Sequence, residues 1–288
     1  MNILIIGGNR FFGKRLAADL LEEGHEVTLL NRGNQDDGFG QKLNRIQCDR
    51  NNRNDLSAAV DGRKWDIIYD QVCFDYATAK NACEIFSGKT QKYIFTSTQS
   101  VYGPGKNLAE TDYQPALHKF EKIQTMKSDY GEAKRQAEVA FHQFANFPVV
   151  SVRFPIVIGN DDYSGRFKFH IDRIKSREPI YYPNIDANIS FVSAAFAAQT
   201  LKYFTRSLFS GSLNVASPSP ITLREFTSII ERKMGMKAVL ATAPTPANHS
   251  PYGIEVDRYL DCSKLSKECG IEGSEISEWL PMLDWELI

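Results

Sequence analysis

Long apolar runs are absent from this 288-residue sequence. The N-terminal stretch Ile3 to Ile6 has no basic residue before it and is too short for a secretory signal, and nothing later approaches a membrane span. Cysteine is scarce: Cys48, Cys73, Cys83, Cys262 and Cys269 are odd in number, far apart and form no C-x-x-C pair, so no zinc site is expected. The histidines His25, His118, His142, His170 and His249 show no metal-ligand spacing and read as structural or exposed. No metal is therefore expected. An excess of one charge is missing too, since 34 basic residues face 35 acidic ones for a net charge of -1. Without a broad basic field, nucleic acid is not an expected partner. The sequence reads as that of a soluble, reduced, cytoplasmic protein with no membrane association.

What the sequence does have is 42% hydrophobic residues, enough for one large core or for a core with an appended lobe. In the first half, β-branched runs alternate with stretches of helical period, the pattern of parallel strands joined by helices. "NILII", "EVTLL", "RIQC", "WDIIYD", "KYIFTS" and "VVSVRF" are six such strands. Leu16, Leu20 and Leu21 recur at helical spacing between the first two, and Gly24 offers a stop. After Pro155 the pattern turns irregular. "SGSLNVA", near 211–216, reads as a strand returning to the sheet, and Thr222 with Glu225 fits a capping box for a helix through Met234. The expected fold class is α/β, a Rossmann-type doubly wound parallel sheet over 1–160, with 161–288 mainly a smaller substrate-binding lobe.

The first strand runs directly into "GGNRFFG", with the next helix expected from Gly13. Gly7 fits a tight turn and Gly13 a close helix–strand contact, and the helix N-terminus would face a pyrophosphate. Arg10 stands where a G-x-x-G-x-x-G pattern has its middle glycine. The second strand ends in Asn31 and Arg32, where NAD binders usually carry an acid for the ribose 2′-hydroxyl. Two arginines, Arg10 and Arg32, suit a 2′-phosphate instead, so NADP is expected over NAD.

Further along, "SDYGEAKRQAEVAF" has helical composition and places Tyr130 and Lys134 four residues apart on one face. A phenol beside an ammonium and an oxidised nicotinamide is expected to have a lowered pKa and to serve as a base. "FTSTQSVYG" brings hydroxyls to the carboxyl end of the fifth strand, where open α/β sheets bind ligands.

With these residues in view, the chain resembles an extended or atypical short-chain dehydrogenase/reductase of the NAD-dependent epimerase/dehydratase family. "GGNRFFG", "CDR", "STQSVYG", "YGEAK", "VRFPIVIG", "ISFVSAAFAA", "GSLNVAS" and "LDCSKLSKECG" resemble its landmarks in order. The resemblance implies Tyr130 as base, Lys134 as its support and cofactor ligand, and Thr98 as the catalytic hydroxyl, with Ser97 and Ser100 as its nearest competitors. It implies cofactor binding by Gly7, Gly8, Arg10, Phe11, Phe12, Gly13, Asn31 and Arg32, and by Asp49 and Arg50 on the adenine side. It also allows a homodimer.

Two landmarks differ. Dehydratases of the family carry Asp-Glu before Val-Tyr-Gly, whereas Gln99 and Ser100 stand here, so 4,6-dehydration is not expected. The arginine that holds a nucleotide diphosphate in epimerases, roughly ten residues before the D-x-S-K landmark, is replaced by Pro251. Arg166 is the best remaining anion ligand, with Arg173 further along its helix, and Ser100 joins Arg166 as a substrate contact. The expected function is NAD(P)-dependent oxidation or epimerisation of a hydroxyl or keto group, foremost on a nucleotide sugar. Two alternatives remain open: a non-catalytic NAD(P)-sensing or RNA-binding regulator, as among plastid members of the atypical branch, and an NADPH carbonyl reductase.

Overall fold

The structure, a computed structural model, describes residues 1–285. Seven strands form its main sheet: β1 (Asn2–Ile6), β2 (Glu26–Asn31), β3 (Asn44–Gln47), β4 (Trp65–Asp70), β5 (Thr90–Thr98), β6 (Val149–Phe154) and β7 (Gly211–Asn214). Their order is β7-β6-β5-β4-β1-β2-β3, parallel throughout. Strand order reverses between β1 and β4, and the crevice at their carboxyl ends is where such sheets take ligands.

Alternation along β1 sends Ile3 and Ile5 into one core layer and Leu4 and Ile6 into the other, which is why the strand reads as an unbroken apolar run. The first layer contains Leu16, Ala17 and Leu20 of α1 (Phe11–Glu22), Ala197, Ala198 and Leu201 of α6 (Ala194–Tyr203), and Leu265 of α8 (Ser263–Cys269). The second contains Leu56 of α2 (Arg53–Ala59), Ala79 and Ala82 of α3 (Tyr76–Ile85), and Ala137, Ala140 and Phe141 of α4 (Tyr130–Phe144). The chain crosses the division near residue 160 more than once, because α6, β7 and α8 all return to the sheet. Among the described residues no helix is long and apolar enough to cross a membrane.

A third core joins α5 (Arg166–Ser176) to α7 (Leu223–Met234) through Phe167, Ile171, Ile174, Phe226 and Ile230. Thr222 and Glu225 form the capping box that opens α7, and Gly235, at φ +63°, closes it. His170 lies fully buried in this core, with Nδ1 on the Arg166 carbonyl at 3.0 Å and Nε2 on Ser250 Oγ at 2.8 Å. Its ring stacks on Tyr252, and burial pulls its pKa down to about 3.

The folded protein therefore keeps His170 neutral while the unfolded chain protonates it below about pH 6.5. Stability contributed by this group is full above that value and lost as pH falls toward 3, with about 2 kcal/mol gone between pH 7 and pH 5. Urea unfolding of wild type and His170→Gln at those two pH values checks this. The variant should lose about 2 kcal/mol less than wild type over the interval, and equal losses would assign the acid sensitivity elsewhere.

Candidate active site

Two clefts meet at the carboxyl ends of the strands. The first, about 390 Å³, is lined by Gly7, Arg10, Asn31, Arg32, Asp49 and Arg50, together with Asn9, Asn34, Gln35 and Asn51. Gly7 turns the chain at φ +86°. A Cβ on Gly13 would lie 2.2 Å from Gln71 Oε1 and 2.7 Å from the Gly8 Cα, so Gly13 serves the close contact between α1 and the end of β4. Gly8 is likewise a packing residue, since its Cβ would collide with Ile5 at 2.5 Å. The helix starts at Phe11 and not at Gly13: Arg10 is extended, and Phe11 makes the turn at φ +52°. That left-handed conformation, rare for a bulky residue, is held by edge contacts of the Phe11 ring with Phe12 and Tyr163.

The first turn of α1 has no acidic residue and no side-chain cap, whereas Asn52, Asp75, Asp129, Ser193 and Thr222 cap α2, α3, α4, α6 and α7. Its free N–H groups at the cleft suit a pyrophosphate. Arg32 is exposed on the cleft rim and Asn31 Oδ1 accepts from Gly33 N at 2.7 Å, so no carboxylate ends β2. Arg10 lays its guanidinium 5.1 Å from the centre of the Tyr163 ring and thereby links the glycine loop to the turn before α5. Arg50 lines the cleft, yet its guanidinium is ion-paired with buried Asp70, which also accepts from the Tyr93 hydroxyl at 2.6 Å. Arg50 Nε and Nη1 have no partner among the described residues.

The second cleft, about 340 Å³, gathers Thr98, Ser100, Tyr130, Lys134 and Arg166 with Phe11, Phe12, Gln71, Phe74 and Gln99. Phe74 borders both clefts. At the end of β5, Thr98 caps a short 3-10 turn, its hydroxyl accepting from Ser100 N at 3.1 Å. Asp129 caps α4, so that Tyr130 is its first residue. Gly131 then permits contact: a Cβ there would lie 2.7 Å from the Ser100 carbonyl oxygen. Strand end and helix start are thus pressed together. Ser97, by contrast, donates to buried Glu138 at 2.6 Å, which leaves Thr98 as the hydroxyl beside the phenol.

Tyr130 is 38% exposed, and the partial loss of water around its phenol in the cleft raises its pKa, with the Thr98 hydrogen bond and the charge of Arg166 opposing that rise without cancelling it. Lys134 is not among the groups that lower it in the cofactor-free protein, and the expected lowering concerned the ammonium together with an oxidised nicotinamide. Lys134 is 2% exposed, and its ammonium donates at 2.7 Å to the carbonyls of Cys73 and Thr96 and sits over the rings of Phe74 and Phe95. Its own pKa is pulled down to about 8 by burial, opposed by Cys73, Asp70 and Glu138. One of its three N–H groups remains free for a ligand. Arg173 is also corrected: it binds the Pro179 and Ala247 carbonyls and Glu178, away from the cleft. Phe11 and Phe12 line the second cleft and not the first.

Gln71, Phe74, Tyr163, Asn9, Asn34 and Gln35 are cleft residues that the sequence reading did not single out. Beneath the site, Glu138 of α4 pairs with Arg153 of β6 at 2.6 Å, both side chains 0% exposed. Arg153 also donates to the Tyr102 hydroxyl and the Tyr113 carbonyl. This pair fixes the helix that carries Tyr130 against β6, and the Ser97–Glu138 bond ties the same helix to β5, the strand that carries Thr98.

The model of the NAD dependent epimerase/dehydratase family matches residues 3–195. The chain belongs to this family. A curated relative, the chloroplast stem-loop binding protein of 41 kDa b from Arabidopsis thaliana, is 27% identical over 201 residues, covering 65% of this chain and 50% of its own. The chain spans about half the length of that relative. Among solved structures, the UDP-glucose 4-epimerase of Thermus thermophilus in complex with NAD is 20% identical, with 93% of this chain and 92% of that chain covered and a TM-score of 0.72. The UDP-glucuronic acid 4-epimerase of Bacillus cereus with NAD is 19% identical over 98% and 97%, with a TM-score of 0.75. Both likenesses show the fold that the family shares.

Proposed function

We propose that this family member is an NAD(P)-dependent oxidoreductase or epimerase acting on a hydroxyl or keto group of a nucleotide sugar, with NADP as the preferred cofactor. The observation that carries the reading is the meeting of Thr98, Tyr130 and Lys134 at a cleft that adjoins the glycine-loop cleft through Phe74. The uncapped α1 N-terminus fits a pyrophosphate, Asp49 and Arg50 border the adenine end, and the free N–H of Lys134 fits a ribose hydroxyl. A bound nicotinamide nucleotide supplies the hydride donor or acceptor. Tyr130 gives its proton to a carbonyl oxygen, or takes a hydroxyl proton in the reverse direction, while Thr98 holds the same oxygen. The raised pKa keeps the phenol protonated at neutral pH, and positive charge arriving beside it favours the phenolate. Gln99 and Ser100 supply no acid or base, which speaks against dehydration. Arg166 at the far rim suits the substrate's phosphates.

The name of the Arabidopsis relative suggests RNA binding as a second reading. A net charge of -1 gives it little electrostatic support.

Arg32 supports NADP, because a guanidinium at the end of β2 pairs with a 2′-phosphate while an acid there would repel it. Calorimetric titration should give tighter binding of NADP than of NAD, and Arg32→Ala should weaken NADP roughly 10- to 100-fold with NAD affected less than threefold. Equal losses would undo the 2′-phosphate assignment. Affinity for neither cofactor would reject the enzyme reading. If NAD stays bound through purification, hydride recycling by an epimerase is favoured, whereas freely exchanging NADPH favours a reductase.

A further inference from the structure

Gln99 is 7% exposed, directly follows Thr98 and lines the second cleft. Its backbone is fixed, with its carbonyl accepting from Tyr102 N at 3.0 Å. Its Oε1 is buried without a partner, and neither end of the carboxamide makes a hydrogen bond among the described residues. Buried polar atoms without partners are rare in folded proteins because their lost hydration is not repaid. Two neighbours in the same cleft share the condition: Gln71 Nε2 and Thr96 Oγ1 are also buried and unpartnered.

We infer that Gln99 is a specificity-determining residue: its carboxamide hydrogen-bonds a hydroxyl on the carbon next to the one held by Thr98 and Tyr130, so that the cleft takes a polyhydroxylated substrate. The inference deepens the proposed reaction and rests on it for the position of the reacting carbon. Three unpartnered groups that are all neutral, one a carboxamide able to give or take a hydrogen bond at either end, match sugar hydroxyls, which do both. A carboxylate ligand would find acceptors turned toward it as well as donors, and an ammonium the reverse. Gln99 has no titratable proton, so its part is recognition and not proton transfer.

Gln99→Met keeps the side chain's length and removes both polar atoms. Removing an unmet buried amide oxygen should raise the melting temperature of the free protein by roughly 2–4 °C, the opposite of what loss of a structural residue does. Calorimetry with NADP present then uses UDP-, GDP- and CDP-glucose, and the tightest binder is paired with its 3-deoxyglucose counterpart. Wild type should prefer the hydroxylated sugar at least tenfold. The variant should lose that preference by weakening only the hydroxylated ligand. A lowered melting temperature, a preference unchanged in the variant, or no binding of any sugar nucleotide by wild type would overturn the inference. Its failure is separable from failure of the proposed reaction, which turns on Tyr130 and is read by turnover.

Discussion

Tyr130→Phe is expected to lower kcat by two to four orders of magnitude while leaving cofactor affinity nearly unchanged. The substitution removes one hydroxyl. The ring remains at the start of α4, the Asp129 cap remains, and the Lys134 ammonium keeps its bonds to the Cys73 and Thr96 carbonyls, since none of these involves the phenol. What disappears is the proton that, in the proposed reaction, Tyr130 exchanges with the substrate oxygen beside Thr98. Steady-state turnover and a cofactor titration on the same preparation separate the two effects. A variant that turns over like wild type would remove Tyr130 from the chemistry, and a variant that loses cofactor affinity in step with turnover would make the residue a binding group.

The second large effect lies below the cleft. Arg153→Met should destabilise the protein by about 3–5 kcal/mol, because Glu138 is left charged and unpaired where no water reaches. The Tyr102 hydroxyl and the Tyr113 carbonyl lose a donor at the same time. If the isolated charge is the cause, adding Glu138→Leu to that variant should restore most of the loss, since a buried ion pair replaced by apolar groups is often neutral or better. Denaturant unfolding of wild type, the single variant and the double variant decides the matter. A double variant no more stable than the single one would mean that the hydrogen bonds, and not the charge, carry the energy.

Much of this architecture is legible in the sequence because its causes are local. Strands buried on both faces must be apolar at consecutive positions, and "NILII" and "WDIIYD" say so directly. Thr222 and Glu225 announce α7 through a bond that spans three residues. The hydroxyl–tyrosine–lysine set is legible as spacing along a strand end and a helix face. What the letters do not carry is the partner of each group. Lys134 is held by two main-chain carbonyls, which have no signature in side-chain identity, and so these bonds could not be read. Tyr163 reaches Arg10 only because two distant turns meet in space. Gln71 and Phe74 follow β4 in "QVCF", where no motif marks them. Glu138 and Arg153 did leave a trace, since a charge inside the otherwise apolar "EVAF" and another inside "VVSVRF" each demand a countercharge.

Strand β7 pairs with β6, from Gly211 opposite Val150 to Asn214 opposite Arg153, across more than fifty intervening residues. On the ribosome, β6 therefore emerges well before the strand that will cover its outer flank. Throughout that interval its main-chain donors and acceptors form a sticky seam open to a neighbouring nascent chain. Severing the polypeptide near residue 160 would make the seam permanent, so the first half of this protein is poorly suited to life as a separate nucleotide-binding unit.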